Sequence, residues 1–566
     1  MRKETAKTPS FTPLPAPTDA QIVAAMNKGI DFLLLQKKGS NLEVLFDWAD
    51  KTPTVASKSG VNIRNFGGET SLGLYALLIA GKSLGDKGLA ADSKEIAPLV
   101  AWLEKLEPAS TYVAARQAVT LTLALPAPAK SPALDRDKKY LLIGMFPGGG
   151  WRDTNETMAK LYTDLAAAKA RNNAYEVKRL LDRIEGYKKN TCGEVGNSQY
   201  ATLALFTMQE AGLDMPTTLW SDVDLVWHKT QRPDGTWRYT FDTQGISTDS
   251  MTIDGLASLL LTSSAMKKDA LSTDPAIATS LNTIQEKLRT DSFWAMDSYV
   301  TYGLTRTLMS LGIRRIGELN WLDHTAASLI KSQASDGSWN FCNSGTGGDR
   351  KLLATSFALL TLAKARVPVA FSMLQLQNTP NLAHARAANN LTSWMTQQDN
   401  RLYSWQALSW DCPDTDWQRS QLLIIADGLA PNFTPEQMNQ LKQFMDNGGT
   451  ILSAPEKNSP FFQTGIQKAM QSLATDRYEL RDLPPDHDLF KGIGAVKPPK
   501  TTALLDKGRP AWIHVNADLS LGWQNRTQTP PFAWSLPLKL SKDSPRAGTT
   551  QPTTTSPDSP NMRTGA

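Results

Sequence analysis

The chain has 566 residues, 41% of them hydrophobic and 20% charged, enough to bury a sizeable core and unlike the composition of a disordered polymer. Its 60 basic and 55 acidic residues leave a formal charge of +5, too small and too scattered for a nucleic-acid surface, and no apolar run approaches the ~18 residues of a membrane span. The cysteines, Cys192, Cys342 and Cys412, stand far apart, which excludes a disulfide framework and a Cys-x-x-Cys metal knuckle.

Residues 1–21 are polar and proline-rich and are expected to form a flexible segment. Met1 to Pro17 lacks the apolar stretch of a signal peptide, so the protein is expected to be cytoplasmic, or exported if a signal has been removed. A helix follows over Ala25 to Gln36, with Phe32 and Gln36 four apart on one face and Trp48 downstream. Glu69 to Leu78 opens with a polar capping cluster and continues with small and apolar residues, the texture of a helix packed closely on several sides. That texture returns at Asn197 to Ala201, Ser250 to Leu259 and Thr355 to Leu360.

Between these segments the string Gln-x3-Gly-x-Trp is written twice, from Gln231 to Trp237 and from Gln333 to Trp339. Trp227 stands four residues before the first Gln and Leu329 four before the second, so a large side chain and an amide share one helical face. The Gln amide is placed to bond orphan groups at neighbouring helix ends, Asp-Gly makes a turn, and the Trp packs back as a plug. Gly148-Gly149-Gly150-Trp151 keeps only the tail of the string, and Trp102-x3-Leu106 has lost the Gln. Self-similarity at roughly 100-residue spacing means repeated supersecondary units.

These strings and helix starts resemble the QW repeats of the squalene cyclase and protein prenyltransferase superfamily. The resemblance covers Ile22 to Met395 and implies an α/α toroid, a double ring of helices around a central cavity, over residues 22–395. In the cyclases an Asp-x-Asp-Asp-Thr-Ala motif supplies a strong acid just before an inner helix. Lys351, Leu353 and Ala354 occupy the acidic positions before Thr355 here, so ordinary squalene cyclisation is not expected. A relocated acid could be Glu69 or Asp254; the helix dipole lowers the pKa of a carboxylate at a helix start and makes it a poorer acid, and capping is the plainer role. The prenyltransferases hold zinc with Asp, Cys and His, but no Cys-His pair has ligand spacing; Cys192 and His324 would have to meet in space, and Cys342 reads as a buried small residue. No metal or other cofactor is expected. Trp220, Trp227, Trp294, Tyr299, Tyr302 and Trp321 could line a cavity, or pack between the rings. Gly148 to Gly150 lacks the Lys-Ser/Thr of a phosphate loop and reads as a turn.

After Met395 the texture changes, and residues 396–540 read as a smaller α/β domain with a parallel, Rossmann-like sheet. Gln421 to Asp427 is a buried-strand run, Thr434-Pro435-Glu436-Gln437 caps a helix running to about Met445, Asn447-Gly448-Gly449 ends it, and Thr450 to Ala454 is the next strand. Asp486 to Phe490, Gly508 to Ile513 and Asp518 to Trp523 look like a bacterial domain of unknown function in the glutamine-amidotransferase-like α/β group. Cys412 precedes the first strong strand and is no nucleophile elbow. Asp427, at a strand end, with Asp486, His487, Asp518 and Trp523 could line a crevice. Residues 541–566 are a Thr/Ser/Pro tail expected to be disordered.

The leading reading is a toroid kept as a ligand-binding or interaction scaffold for a small molecule, peptide or protein, with neither nucleic acid nor a membrane span. Alternatives are an enzyme acting on an isoprenoid through a relocated acid, and an assembly protein with a closed cavity. If the toroid binds a ligand, its inner-helix starts converge on one mouth, and Glu69, Thr70, Asn197, Gln199, Ser250, Thr252, Asp254, Tyr299 and Thr355 are expected to face an anionic or carbonyl-bearing group there.

Overall fold

The structure is a computed structural model, and it describes residues 9–44, 63–146, 149–154, 156–190, 193–241, 246–268, 274–290, 293, 298–340, 350–376, 384–493, 498–527 and 531–543. The chain divides into two units, Met1–Val367 with Pro380–Ala407, and Pro368–Thr379 with Leu408–Ala566. The division is interleaved: a strand near residue 370 belongs with the second unit, and the chain then returns to the first for one helix.

Among its described residues up to Val367 the first unit is helical apart from one small ladder and three isolated bridges. Its helices are α1 (Asp19–Leu35), α2 (Gly68–Leu84), α3 (Ala97–Lys105), α4 (Thr111–Ala124), α5 (Pro132–Gly144), α6 (Glu156–Ala170), α7 (Ala174–Asn190), α8 (Val195–Glu210), α9 (Leu219–Thr230), α10 (Asp249–Ala265), α11 (Pro275–Leu288), α12 (Ser298–Ser310), α13 (Trp321–Ser332), α14 (Lys351–Arg366) and α15 (Ala385–Asp399). Strands β1 (Arg315–Ile316) and β2 (Leu319–Asn320) pair antiparallel just before α13. Each of α2, α4, α8, α10, α12 and α14 packs on the next, and α14 packs back on α2, closing a ring of six. Outside it lie α1 and α13 against α14, α3 against α2 and α4, α5 against α4 and α8, and α9 and α11 against α10. This is an α/α toroid. The α6–α7 pair packs beside α5 with its own apolar cluster of Leu161, Leu165, Ala168, Leu180 and Ile184.

The inner helices carry their burial almost all round, as helices inside a large core must. From Met251 to Leu260 every residue of α10 is buried. Their buried hydroxyls are satisfied within the helix, by bonds to the carbonyl four residues back: Thr120 to Arg116, Thr202 to Ser198, Ser258 to Asp254, Thr307 to Gly303 and Thr361 to Phe357. Small polar residues therefore let the helices approach closely with these hydroxyls satisfied.

The repeated strings stitch the outer ring. The Trp237 indole donates to the Trp227 carbonyl at 3.0 Å and Trp339 to Leu329 at 2.8 Å, each ten residues back in an outer helix. Trp151 does the same with Leu141 at 2.7 Å, so the degenerate third copy has kept its mechanical role. In all three the glycine two residues before the Trp has positive φ and lies against the next outer helix. A Cβ at Gly149 would come within 2.3 Å of the Asp222 carbonyl, at Gly235 within 2.8 Å of Thr279 and at Gly337 within 2.4 Å of Lys28. Gln231 donates to Ala276 of α11, and Gln333 to Ala25 of α1, 308 residues away in sequence, which closes the outer ring on its own beginning. The segment expected to be flexible before α1 includes contacts of the same kind: Leu14 N–H donates to His324, and Thr18 with Gln21 forms a capping box.

The second unit is built on strands β3 (Val369–Leu374), β4 (Ser404–Leu408), β5 (Leu422–Asp427), β6 (Thr450–Pro455), β7 (Tyr478–Leu483), β8 (Thr501–Asp506) and β9 (Arg509–Val515), in the order β4-β3-β5-β6-β9-β8-β7. The division of the chain passes through β4. Strands β3, β5, β6 and β9 pair parallel, β5 and β6 in register from Leu422↔Thr450 to Asp427↔Pro455. The expected all-parallel sheet is corrected to a mixed one, because β7, β8 and β9 run antiparallel. The two-residue turn Lys507-Gly508 joins β8 to β9 with φ of 51° and 88°, suited to a hairpin and far too short for a crossover. Helices α16 (Asp414–Trp417), α17 (Pro435–Asp446), α18 (Pro460–Leu473), α19 (Ser520–Asn525) and α20 (Pro531–Asp543) complete the unit. Leu441, Phe444, Phe462 and Ile466 from α17 and α18 pack on Leu423, Ile425, Ile451 and Trp512 of the sheet. Among the described residues no helix is long and apolar enough to cross a membrane.

Candidate functional site

The first two turns of the inner helices converge on the toroid axis, where residues from five of them meet. Arg116 of α4 is 6% exposed, and its guanidinium lies 4.3 Å from the Tyr112 ring, 4.4 Å from Tyr200 of α8 and 5.0 Å from Phe357 of α14. Among the described residues it donates one hydrogen bond, to the Tyr200 hydroxyl at 2.5 Å, and its Nε has no partner. Tyr200 stands beside Tyr299 of α12, ring centroids 6.2 Å apart, and the Tyr299 hydroxyl donates to Asp254 Oδ2 of α10 at 2.7 Å. Tyr299 and Tyr302 both contact Phe357. Further along α12, Arg306 lies 5.8 Å from the Tyr302 ring, and the Gln199 side-chain amide lies against its guanidinium; with the amide turned so that its oxygen faces Arg306, it accepts from Nη1 at 3.0 Å and Nη2 at 2.5 Å.

Burial pushes the Asp254 carboxyl up to about 7, against the lowering by the Tyr299 hydroxyl and the two guanidiniums. This reverses the expectation of a helix dipole that holds it down. Asp254 is 2% exposed and stands in the second turn of α10, beyond the stretch where the dipole is felt, so desolvation wins. A neutral acid near pH 7 beside phenols can donate a hydrogen bond or a proton. Glu43 is a second buried acid, raised by burial to about 6 although Thr70 donates both its N–H and its hydroxyl to Oε1, at 2.8 and 2.7 Å. It serves as the cap of α2, whose own N-cap is Gly67, and among the described residues its Oε2 is buried without a hydrogen-bond partner.

The expected inner-helix residues separate into two groups. Gln199, Asp254 and Tyr299 meet at the axis as described. Glu69 is buried at the start of α2, where its charge, like that of Glu43, acts on the Tyr112 phenol. The others are held in local caps and packing. Thr70 bonds Glu43 and Leu42; Asn197 donates to Glu194; Ser250 meets the hydroxyl of Thr248; Thr252 bonds the Thr248 carbonyl; and Thr355 accepts from Trp339 N–H. Lys351, one of the three residues at the acid positions, pairs with Asp336 at 3.1 Å.

Of the aromatic candidates, Trp220, Trp227 and Trp321 are buried packing residues, the first bonded to Gln209 and the last to the Ile313 carbonyl. Tyr302 belongs to the axis. His324, half of the imagined zinc pair, accepts from Leu14 and contacts Phe11. Trp48, Gly148, Cys192, Trp294 and Cys342 lie outside the described residues. The sequence reading did not single out Tyr112, Arg116, Tyr200, Arg306, Phe357 and Glu43. A signal for some of them was present: Tyr112 with Arg116 at i, i+4, and Tyr299, Tyr302 and Arg306 at i, i+3, i+7, put aromatic and cationic groups on one face of a buried helix.

In the second unit the crevice candidates are each held by local bonds. Asp427 ends β5 on the side where the strand order changes direction, and its Oδ1 accepts from Leu429 N–H. Asp518 accepts from the backbone N–H groups of Lys457 and Leu521, tying two turns together. Asp486 and His487 follow the edge strand β7 and lead into a turn that packs on α20. His487 caps a short 3-10 turn by accepting from Leu489 N–H, and Trp523 is buried with its indole on the Ala533 carbonyl.

Among solved structures the chain is similar to one described as a possible member of GH105 family from Salmonella enterica subsp. enterica serovar Paratyphi A str. ATCC 9150, at 13% identity and a TM-score of 0.30, over 63% of this chain and 96% of that one. It is also similar to a protein from Actinoplanes, at 13% identity and a TM-score of 0.34, over 61% and 99%. No family model and no curated protein matches. These findings overturn the resemblance to squalene cyclases, protein prenyltransferases and amidotransferase-like domains: none of those families was found, and the structures that were found are described otherwise. At these TM-scores the likeness carries nothing about activity. The toroid rests on its own closed ring of helices, and the Gln-x3-Gly-x-Trp strings are its stitches, no mark of a cyclase.

Proposed function

We propose that the toroid axis binds a small organic anion, with Arg116 as its anchor. The observation that carries this reading is the guanidinium itself. It is always charged and almost fully buried, yet among the described residues it has no carboxylate within ion-pair distance and one of its N–H groups has no partner. Buried charges are normally paired, since several kcal/mol are at stake for each ion left uncompensated. Aromatic faces hold Arg116 in place and offset part of that cost, and its Nε, beside the Nη2 that bonds Tyr200, is left as a donor for an acceptor such as a carboxylate oxygen. The remaining walls are phenols and a carboxyl that is half protonated near pH 7, groups suited to the hydroxyl and carbonyl functions of a polar ligand.

The test is calorimetric titration of the full chain with short carboxylates at neutral pH, together with their effect on the melting temperature. Binding is expected, with a loss of about tenfold or more in Arg116→Gln, as for removal of a charge-assisted bond. If no carboxylate binds, or Arg116→Gln binds as well as the parent, the reading is wrong. A second reading, proton transfer to the bound anion, is favoured by the elevated pKa of Asp254. It requires turnover that disappears in Asp254→Asn while binding persists.

A further inference from the structure

We infer that the free edge of the second unit's sheet, together with an open gap beside it, takes up an extended, uncharged peptide segment as an added strand. β7 stands last in the strand order, and among the described residues it pairs with β8 alone. Its register runs unbroken from Tyr478↔Asp506 to Leu483↔Thr501, and proline comes only after it, at Pro484. Such an edge lacks the bulge or internal proline with which sheets commonly prevent further pairing. The Tyr478 carbonyl accepts from Thr475 N–H at 3.1 Å and so faces away from β8. The hairpin agrees: its two-residue turn pairs Asp506 with Arg509 of β9, so Asp506, opposite Tyr478, turns its own backbone groups from β7. Backbone direction alternates along a strand, so the N–H and C=O groups of Leu480 and Asp482 also face outward, and among the described residues they have no partner. Another extended main chain matches such a row of donors and acceptors.

The gap lies on the face of the sheet that α18 covers. Tyr478 and Leu480 turn their side chains to that face and pack with Met470 of the helix. Between α18 and the β7–β8 pair remains a cavity of about 340 Å³, within the range of small-ligand sites. It is open to solvent, since Gln467 and Gln471 on one side and Arg481, Asp482 and Lys500 on the other are exposed. Met470 and Leu480 form its apolar floor. A strand paired with β7 places the residue opposite Leu480 on the same face, its Cβ ~5 Å from that of Leu480 and beside this gap.

The lining decides the chemistry of the occupant. Its charges are already matched: Asp482 accepts from Thr502 at 2.6 Å and lies 3.4 Å from Lys500, and Arg481 donates to Glu479 at 3.1 Å. A charged occupant would meet no excess of the opposite sign. The amides of Gln467 and Gln471, four residues apart on one face of α18, have no partner among the described residues, and each offers a donor and an acceptor, as a peptide group does. The floor suits an apolar side chain. The segment is thus one with apolar residues at the positions facing α18 and uncharged polar residues between them.

The experiment titrates the full chain with acetylated and amidated hexapeptides that alternate Thr with Val, Leu or Met. These carry no carboxylate, so the Arg116 anchor stays out of the measurement. At least one is expected to bind, and N-methylation of its apolar residues, whose N–H groups would face β7, is expected to weaken it about tenfold or more. N-methylation of the threonines, on the far edge, should cost less. On binding, amide hydrogen exchange should slow at Leu480 and Asp482 and stay as it was at Glu479 and Arg481, which already bond β8. The double variant Gln467→Ala/Gln471→Ala changes exposed residues, should fold as the parent by circular dichroism, and should bind about threefold or more weakly. Absence of binding by all three peptides, indifference to which residues are N-methylated, protection elsewhere than on β7, or unchanged affinity in the double variant overturns the inference. A dimer in sedimentation that protects Leu480 and Asp482 without any peptide would give the edge to a second copy and overturn it equally.

Discussion

The seam around the outer ring and the axis inside the inner ring use the same kinds of side chain, Trp or Tyr, Gln, Asp and Arg, to opposite ends. Along the seam, Trp237 and Trp339 are buried with their indole N–H groups on carbonyls, and Gln231 and Gln333 reach the neighbouring helix. Asp234 and Asp336 accept from the hydroxyl and N–H of Thr236 and Ser338 in their own turns. On the axis, among the described residues, the Arg116 guanidinium is buried without an ion pair and the Asp254 carboxyl is lifted to about 7. Folding alone accounts for the first arrangement and not for the second. Polar groups left unpaired in a native interior call for a reason outside packing.

The contrast breaks most visibly at the plugs. Replacing Trp237 or Trp339 by Ala is expected to lower the free energy of unfolding by about 3–5 kcal/mol in urea titrations, because each leaves a large cavity where a helix must otherwise close on Gly255 or Gly29. Carboxylate affinity, measured where the variant is folded, should not move. A loss below ~1 kcal/mol would mean that the seam does not hold the ring together.

Slightly smaller is the pH dependence of the axis. Asp254 is raised from 3.8 to about 7, so the fold favours its protonated form. Its contribution is therefore complete below the unfolded pKa and is lost as pH rises through about 7, an amount of about 4 kcal/mol over that window. Glu43, raised to about 6, and Asp137, raised by burial to about 8, have the same sign. Stability should thus fall from about pH 5 to pH 8, and Asp254→Asn should make the fall shallower. An unchanged slope in the variant would show that Asp254 is ionised in the folded protein, since the buried His514, lowered to about 4, adds a contribution of opposite sign to the parent and the variant alike.

The seam was legible in the sequence because it is written in turn chemistry, which is local. Gly235 and Gly337 need positive φ, Trp237 and Trp339 follow at fixed spacing, and the string repeats. The βαβ unit was legible for the same reason, through the capping box of Thr434 and Gln437. The antiparallel end of the sheet is less legible: it turns on Lys507-Gly508, a two-residue hairpin signal that the parallel pattern upstream outweighs. The axis was only half legible. Asp254 and Tyr299 were found because they stand at helix starts, whereas Arg116 takes its meaning from Tyr200 and Phe357, 84 and 241 positions away, and no local pattern carries that.

The smallest expected effect is the most discriminating, because its sign separates a functional cation from a structural one. In Arg116→Met an unbranched apolar side chain of similar reach replaces the guanidinium among Tyr112, Tyr200 and Phe357. Lost are cation–aromatic contacts of ~0.5–2 kcal/mol each and the hydrogen bond to Tyr200. Gained is release from burying a charge with no counter-ion, which amounts to several kcal/mol, and methionine sulfur makes good contacts with aromatic edges. The balance is expected to be a stabilisation of about 1 kcal/mol in urea titrations, together with loss of carboxylate binding. A residue kept for the fold would behave in the opposite way, and destabilisation by more than about 2 kcal/mol would place Arg116 with the seam, as a packing residue.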